Sequence, residues 1–240
     1  YVDYIIEKTC QLLAIDSPTG YTKQAAQFVM DEYKNMGYDA KMTVKGCVLV
    51  EIGGKNKDNG IVLAAHTDTL GAMVSEIKSN GNLKVSPLGG MEPNNAEAEN
   101  CRIVTRFDGT FEGTFQLNNA SVHVNADYGD AKRKYADMEV VLDEVVKSKE
   151  DTEKLGIMVG DIVCFDPRTT VTEKGYIKSR FLDDKLSVGI LLGYAKYLKE
   201  NNIELENCMY HYITVYEEVG HGGAASIPEG VTEMISVDMG

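Results

Sequence analysis

Three short apolar runs in this sequence end directly before residues that can bind a metal ion. The run at residues 61–65 has no polar face, which is typical of a strand buried on both sides in a parallel sheet. Open α/β sheets bind ligands just beyond the carboxyl ends of their strands, so the residues after the three runs are expected to converge. The runs and the residues that follow them are 61–65 before His66-Thr67-Asp68, 212–216 before Glu217-Glu218, and 235–237 before Asp238.

Helical and strand patterns around these runs predict an α/β domain. Apolar residues recur at a helical period over residues 2–13 and 22–36, and again over 186–198, directly after Asp183-Asp184. Strands are predicted at about 38–44, 47–52, 209–216 and 234–237. The segment 53–60 has the composition of a turn.

A β-rich insertion interrupts this pattern. Between residues 71 and 166, short strand-like runs, including 121–124, alternate with Gly, Asn and Asp turns, and helical periodicity is found at 148–155. We therefore expect residues 1–70 and 167–240 to form one α/β domain with flanking helices. Residues 71–166 are expected to form a small β-rich inserted domain.

The composition of the chain limits the kinds of molecule that it is expected to bind. The formal net charge of -13 argues against a nucleic acid, because phosphate neutralisation dominates nucleic-acid affinity. No run is long and apolar enough to span a membrane, and no leader pattern is found, so no membrane association is expected. The five cysteines are scattered and lack CxxC spacing. We expect them to be reduced thiols of a cytoplasmic protein.

Each candidate residue has an ordinary structural interpretation when it is taken alone. A histidine after a strand is more often a polar cap than a ligand, and an aspartate before a helix is favoured as its N-cap. Adjacent glutamates are usually surface charges, and Asp238 alone is a turn residue. The three other histidines are expected to be structural or to lie in a loop: His123 and His211 in strands, and His221 between glycines.

Taken together, the same residues favour a metal site. Because neighbouring residues on a strand face opposite sides, Glu217 and Glu218 are expected to have different tasks, one at a metal and one at a water. The spacing of His66 and Asp68 allows the carboxylate to accept a hydrogen bond from the imidazole, which fixes the tautomer. A second metal needs a shared carboxylate, and Asp183 is the candidate.

The order and spacing of these motifs resemble the glutamyl aminopeptidase family, whose deblocking and tetrahedral (TET) members are dinuclear metallopeptidases. The resemblance covers nearly the whole chain and includes the position of the insertion between the histidine and the bridging aspartate. The matching segments are His66-Thr67-Asp68, Leu182-Asp183-Asp184-Lys185, Tyr216-Glu217-Glu218-Val219-Gly220 and Val237-Asp238-Met239-Gly240, together with Ser17-Pro18-Thr19-Gly20 and residues 156–161.

The resemblance implies a set of metal ligands. His66 and Asp238 would hold one metal, Glu218 the other, and Asp183 would bridge them. Two divalent ions are implied, with zinc as the first choice and cobalt or manganese as alternatives. The family's last ligand, a histidine, is expected beyond Gly240, together with the C-terminal part of the α/β domain.

The resemblance also implies a reaction. Glu217 would be the general base, Asp68 would orient His66, and the peptide bond between Asp183 and Asp184 would be cis. The implied fold is a zinc-peptidase-like sheet, and the inserted domain would help to assemble homo-oligomers. The predicted activity is hydrolysis of N-terminal residues from peptides by a water that two metals activate.

Three substitutions depart from the family pattern and bear on substrate preference: Thr69, Lys185 and His221-Gly222. Two other functions stay open. One is a metal-dependent deacylase or carboxypeptidase of a related family, although the long gap between His66 and Asp183 favours the aminopeptidase. The other is a non-catalytic assembly subunit.

Overall fold

The computed structural model describes residues 1–107 and 109–239, so Gly240, the last residue of the fourth matching segment, lies outside the described residues. By its internal contacts the chain divides into one unit of Tyr1–Thr69 with Pro167–Gly240 and a second unit of Leu70–Asp166. The first unit is an α/β layer structure and the second is a β-barrel. The predicted fold class, α/β with a β-rich insertion, is confirmed.

The elements are numbered in chain order. The helices are α1 (Val2–Leu13), α2 (Lys23–Asn35), α3 (Lys149–Lys154) and α4 (Leu182–Glu200). The strands are β1 (Asp39–Met42), β2 (Val48–Gly53), β3 (Asn56–His66), β4 (Gly71–Ile77), β5 (Leu83–Leu88), β6 (Glu99–Val104), β7 (Thr110–Leu117), β8 (Met138–Leu142), β9 (Ile162–Phe165), β10 (Thr170–Val171), β11 (Ile177–Lys178), β12 (Asn207–Thr214) and β13 (Val231–Ser236). Within the described residues, no helix combines the length and the apolar character that a membrane crossing requires.

The sheet of the α/β unit has the strand order β1-β2-β12-β3-β13. Strand β3 runs parallel to β12 on one side and to β13 on the other. Thr214 pairs with His66 and Ser236 with Ala64, so the three strands end at the same edge of the sheet. The buried core lies between this sheet and the helices, where Val62 of β3 and Leu192 of α4 are fully buried.

Strand β3 begins earlier than the composition of residues 53–60 predicts. That segment was expected to be a turn, yet residues from Asn56 onward already pair with neighbouring strands. Asn56 donates its N–H to Glu206 O at 2.9 Å, and Gly60 donates to Gly230 O at 2.8 Å. The turn prediction is therefore wrong for residues 56–60, because partners from distant parts of the chain bind their backbone groups.

Helices α1 and α4 approach closely because α4 has two glycines on its contact face. A Cβ atom at Gly189 would lie 2.1 Å from Thr9 Oγ1, and one at Gly193 would lie 2.3 Å from Ile5 Cγ1. Both distances are far shorter than a normal contact between non-bonded atoms. The sequence of α4 thus fixes the spacing of the two helices.

The inserted unit is a closed barrel with the strand order β4-β5-β8-β7-β6-β9. Phe115 and Phe165 pack edge to face in its interior, with ring centroids 5.5 Å apart. Residues 121–124, predicted as a strand, form a turn instead. Val124 and Asn125 both donate their N–H to Ser121 O, and this closes the chain on itself rather than pairing it with a neighbour.

Candidate metal centre

Three predicted ligands meet at the edge of the sheet where β3, β12 and β13 end. His66 is the last residue of β3, Asp183 lies in the first turn of α4, and Asp238 follows β13 by two residues. One ligand atom from each lies within 4.8 Å of the others. His66 is buried and the two aspartates are exposed, so the group opens toward solvent.

The imidazole of His66 is held at one nitrogen and faces carboxylates with the other. Its Nδ1 lies 2.9 Å from the backbone oxygen of Asp68 and 3.5 Å from Asp68 Oδ1. Its Nε2 lies 3.0 Å from Asp183 Oδ1 and 3.6 Å from Glu217 Oε2. Asp68 therefore contacts the ring through both its backbone carbonyl and its carboxylate.

The carboxylate of Asp68 organises the segment that carries the two glutamates. This side chain is fully buried. Its Oδ1 accepts the N–H of Glu217 at 3.2 Å, and its Oδ2 accepts the N–H of Glu218 at 3.3 Å. The hydroxyl of Thr19 also donates to Oδ2, at 2.8 Å.

Glu217 and Glu218 lie in a helical turn and not on a strand. Strand β12 ends at Thr214, and Glu217–Val219 form a short 3₁₀ helix that Gly220 closes by donating its N–H to Glu217 O at 2.7 Å. The argument that strand pleating separates the two side chains is therefore wrong. The chain turns here because Asp68 binds two successive backbone N–H groups, which a continuing strand would direct to opposite sides.

The start of α4 differs from a simple capped helix. The peptide bond between Asp183 and Asp184 is cis, as the resemblance implies, so that expectation is confirmed. Asp184 is fully buried and accepts the backbone N–H of His66 at 3.0 Å through Oδ2. Asp184 thus binds the end of β3, and its carboxylate also accepts a hydrogen bond from Ser187 of α4.

Buried hydrogen bonds set the protonation of the imidazole and of the carboxylate behind it. Burial by itself lowers the pKa of His66, but the hydrogen bond and charge of Asp68, with the charge of Asp184, raise it to about 10. Burial by itself raises the pKa of Asp68, but hydrogen bonds from His66 and Thr19 hold it below its usual range. The imidazole is therefore protonated near neutral pH when no metal is bound.

Two other carboxyl groups have pKa values near neutral pH. Burial, reinforced by the charges of Asp183, Asp68 and Glu217, raises the pKa of Glu218 to about 7. Burial also raises the pKa of Asp184 to about 7. Negative groups are thus crowded around Glu218, and a cation would relieve their repulsion.

The residues fit a divalent metal ion by the chemistry of their donor atoms. One imidazole nitrogen and two carboxylate oxygens form the described group, and this donor set suits zinc, cobalt or manganese. A divalent ion at His66 Nε2 would take the place of the proton there. Glu218 is outside the three-residue group, although the charge of Asp183 acts on its carboxyl group.

The remaining histidines are not members of this group. His123 lies in an exposed turn, so its predicted strand is wrong, and His221 lies in an exposed loop. His211 is fully buried in β12, where Tyr33 Oη lies 2.8 Å from its Nδ1 and the ring of Tyr194 stacks on it. Burial lowers the pKa of His211 to about 3.

The sequence alone assigned no task in the metal centre to three residues that lie near it. Thr19 lies in a segment that matched the family without a task, and Asp184 was expected to be at most a helix cap. Lys185 is buried and donates from Nζ to Leu12 O at 3.0 Å, in the last turn of α1, and to Ile15 O at 2.6 Å, just after that helix. The signals in the sequence that pointed to these residues were the adjacent Asp183-Asp184 pair and the matching segment Ser17-Pro18-Thr19-Gly20.

Comparisons with known proteins identify a family and several relatives of this chain. The model of the M42 glutamyl aminopeptidase family matches residues 46–240. The chain is 41% identical over 230 residues to a putative aminopeptidase, YhfE, of Bacillus subtilis, covering 96% of this chain and 66% of that protein. An aminopeptidase from the archaeon Desulfurococcus kamchatkensis superposes with a TM-score of 0.81 at 26% identity, over 93% of this chain and 59% of that one.

A second solved structure is a dodecamer. It is the twelve-subunit form of the peptidase PhTET1, with a TM-score of 0.76 at 26% identity, over 90% of this chain and 61% of that chain. The chain spans between about three fifths and two thirds of the length of the proteins that it matches.

Proposed function

Because the chain belongs to the M42 glutamyl aminopeptidase family, we propose that it acts as a metal-dependent aminopeptidase that removes N-terminal residues from peptides. The observation that carries this proposal is the meeting of His66, Asp183 and Asp238 at one edge of the sheet, with Glu217 beside them. This edge is where ligands bind in open α/β sheets. The preferred N-terminal residue is left open.

In this proposal the edge of the sheet would hold two divalent metal ions. His66 and Asp238 would bind one ion, Glu218 would bind the other, and Asp183 would be shared between them. Such ions would supply polarisation of the scissile carbonyl and a lower pKa for the attacking water. The acidic crowding around Glu218 supports a cation at that position.

Glu217 is the general base of the proposed reaction. Its carboxylate is exposed toward solvent and lies 3.6 Å from His66 Nε2, close enough to reach a water at the same place. Glu217 takes the proton of the attacking water and delivers it to the leaving amine. Proton transfer of this kind contributes on the order of 10²–10⁴-fold to the rate.

Asp68 and Asp184 position His66 and Glu217, the residues proposed to bind metal and to transfer the proton. Asp68 fixes the ring of His66 from behind and binds the turn of Glu217, and Asp184 holds the backbone of His66. Rigid placement matters because a catalytic group that is displaced by about 1 Å can lose a hundredfold in rate.

The proposal extends to partners and compartment. Peptides are the proposed substrates, and a homo-oligomer is proposed because a solved structure of the same fold is a dodecamer. We further propose that the inserted unit carries contacts between identical subunits. The five free cysteines support a reducing compartment such as the cytoplasm. The net charge of -13 opposes a nucleic-acid partner.

A panel of aminoacyl-nitroanilides with and without added zinc, cobalt or manganese tests the proposed activity. We predict metal-dependent release, and that Glu217→Gln lowers turnover by roughly a hundredfold or more while metal content stays nearly unchanged. Glu233→Gln, on the exposed face of β13, is the matched control and should leave both unchanged. Equal loss of metal and activity in Glu217→Gln would make this residue a ligand.

Peptides with a blocked N-terminus distinguish the proposed aminopeptidase from the alternative functions. Cleavage of N-acetylated peptides in preference to free ones would favour a deacylase. Absence of any hydrolysis with bound metal would favour an assembly subunit.

A further inference from the structure

We propose that Thr19 is a positioning residue that acts through Asp68 on the turn formed by Glu217 and Glu218. The inference rests on the proposed function for the roles of the two glutamates. It assigns to the Ser17-Pro18-Thr19 loop a task in the reaction, although this loop lies more than a hundred residues before the glutamates in the sequence.

The contacts converge on one buried carboxylate. Oδ2 of Asp68 accepts the hydroxyl of Thr19 at 2.8 Å and the N–H of Glu218 at 3.3 Å, and Oδ1 accepts the N–H of Glu217 at 3.2 Å. The hydroxyl bond is the shortest of the three. Thr19 is buried and Asp68 is fully buried, so water does not compete for these oxygens.

The loop that carries Thr19 is itself fixed. Ser17 Oγ donates to Thr67 O at 2.7 Å, Thr69 N donates to Ser17 O at 2.9 Å, and Thr19 N donates to Thr69 O at 3.2 Å. These bonds attach the loop to the segment that follows β3. The hydroxyl of Thr19 is therefore held in a fixed position relative to Asp68.

The expected consequence follows from the geometry of a carboxylate. The carboxylate of Asp68 can accept both N–H groups of the Glu217–Glu218 turn only when its plane has one particular orientation. The hydrogen bond from the Thr19 hydroxyl holds the plane in that orientation. Hydrogen bonds to charged groups in a dry environment are the strong ones. Without the hydroxyl, the plane can turn and the placement of Glu217 and Glu218 loosens.

Substitution of Thr19 tests the inference with two readouts. We expect Thr19→Val to lower kcat roughly tenfold, the scale of one hydrogen bond to a charged group, while KM changes less than about twofold. A titration with Co²⁺ alone, followed by its visible absorption, should show weaker binding of the second equivalent, because Glu218 lies on the turn. Thr19→Ser keeps the hydroxyl and should recover both values.

Thr152→Val is the matched control. Thr152 is fully buried in the inserted unit and its hydroxyl donates to Gly81 O at 2.8 Å, so this variant loses a similar bond outside the centre. It should leave kcat and Co²⁺ binding unchanged. If Thr19→Val does not fold, Thr19→Ala replaces it.

Coupling to Asp68 gives the decisive comparison. In an Asp68→Asn background, Thr19→Val should have little further effect on Co²⁺ binding, because the two residues act as one unit. The inference is overturned if Thr19→Val behaves like Thr152→Val, or if its effect is the same with and without Asp68. If the unmodified protein hydrolyses no peptide, the proposed function fails, and the Co²⁺ titrations still decide the role of Thr19.

Discussion

Buried charged side chains in this protein have partners drawn from distant segments. Asp184 accepts the N–H of His66, and Lys185 donates to two carbonyls at the C-terminal end of α1, so two adjacent residues bind different parts of the chain. A buried charge without a partner costs several kcal/mol, so the two carbonyl partners of Lys185 matter for stability. Asp184 keeps one oxygen, Oδ1, without a hydrogen-bond partner among the described residues, and burial raises the pKa of its carboxyl group to about 7.

His211 is a buried neutral base and makes stability depend on pH. Its pKa is about 3 in the folded protein and about 6.5 in an unfolded chain, so between these values only the unfolded chain binds the proton. The free energy of unfolding should therefore fall as pH decreases from about 6.5 toward 3, by up to about 1.4 kcal/mol per pH unit from this group. His211→Gln, measured by urea unfolding at several pH values, should flatten that slope.

His123→Gln provides the comparison for this experiment. His123 lies in an exposed turn of the inserted unit, and its replacement should leave the slope as it is. An equal slope in His211→Gln and the unmodified protein would mean that other groups cause the acid sensitivity.

The contact between α1 and α4 is the packing feature that the sequence of α4 determines most directly. Gly189 and Gly193 are one helical turn apart and allow Thr9 and Ile5 of α1 to approach the backbone of α4. Lys185, one turn before Gly189, binds two carbonyls at the C-terminal end of α1. The position of α1 is thereby linked to the helix whose first turn holds Asp183.

Gly189→Ala should destabilise the protein although alanine favours helices. The gain in helix propensity is at most about 1 kcal/mol, whereas overpacking typically costs about 1–3 kcal/mol. The added Cβ would lie 2.1 Å from Thr9 Oγ1, so one of the two helices must move. We expect a lower melting temperature and a lower denaturant midpoint.

A second substitution tests the cause of this loss. Thr9 Oγ1 has no hydrogen-bond partner among the described residues, so Thr9→Ala removes the clashing atom without breaking a described bond. The double variant Thr9→Ala/Gly189→Ala should recover at least half of the lost stability. Ile190→Ala, on the exposed face of α4, is the control for substitution in this helix. A double variant no more stable than Gly189→Ala would rule out this clash as the cause.

The whole molecule is proposed to assemble through its inserted unit. Phe107 and Val159 expose 73% and 62% of their surface at one end of the barrel, and Asp161 fixes both loops by accepting N–H groups of Arg106 and Met158. Rigid, exposed apolar side chains are typical of contacts between subunits.

Charges introduced at this end of the barrel should reduce the size of the assembly. We predict that Phe107→Glu/Val159→Glu lowers the mass measured by multi-angle light scattering, because each glutamate would need to lose its hydration in the contact. Val44→Glu, at a fully exposed position of the α/β unit, is the control and should keep the mass of the unmodified protein. A monomeric unmodified protein, or an unchanged mass in the double variant, would contradict the role of the inserted unit.

The sequence by itself determined the features that depend on local pattern. Apolar runs identify the parallel strands β3, β12 and β13, although β13 is mostly exposed. Residues at the ends of these strands, such as His66 and Asp238, meet because parallel strands present the same ends at one edge. Periodicity likewise predicts α1, α2 and α4 to within a few residues.

Only the tertiary structure decided the conformation of the segments that connect and support these residues. The Glu217–Glu218 turn, the early start of β3 and the contacts of Thr19 and Asp184 all depend on hydrogen bonds from distant segments. Thr19 and Asp68 are 49 residues apart, and Asp68 and Glu217 are 149 residues apart. The physical reason is that backbone N–H groups and buried carboxylates bind whatever partner folding brings near, and local sequence does not encode that partner.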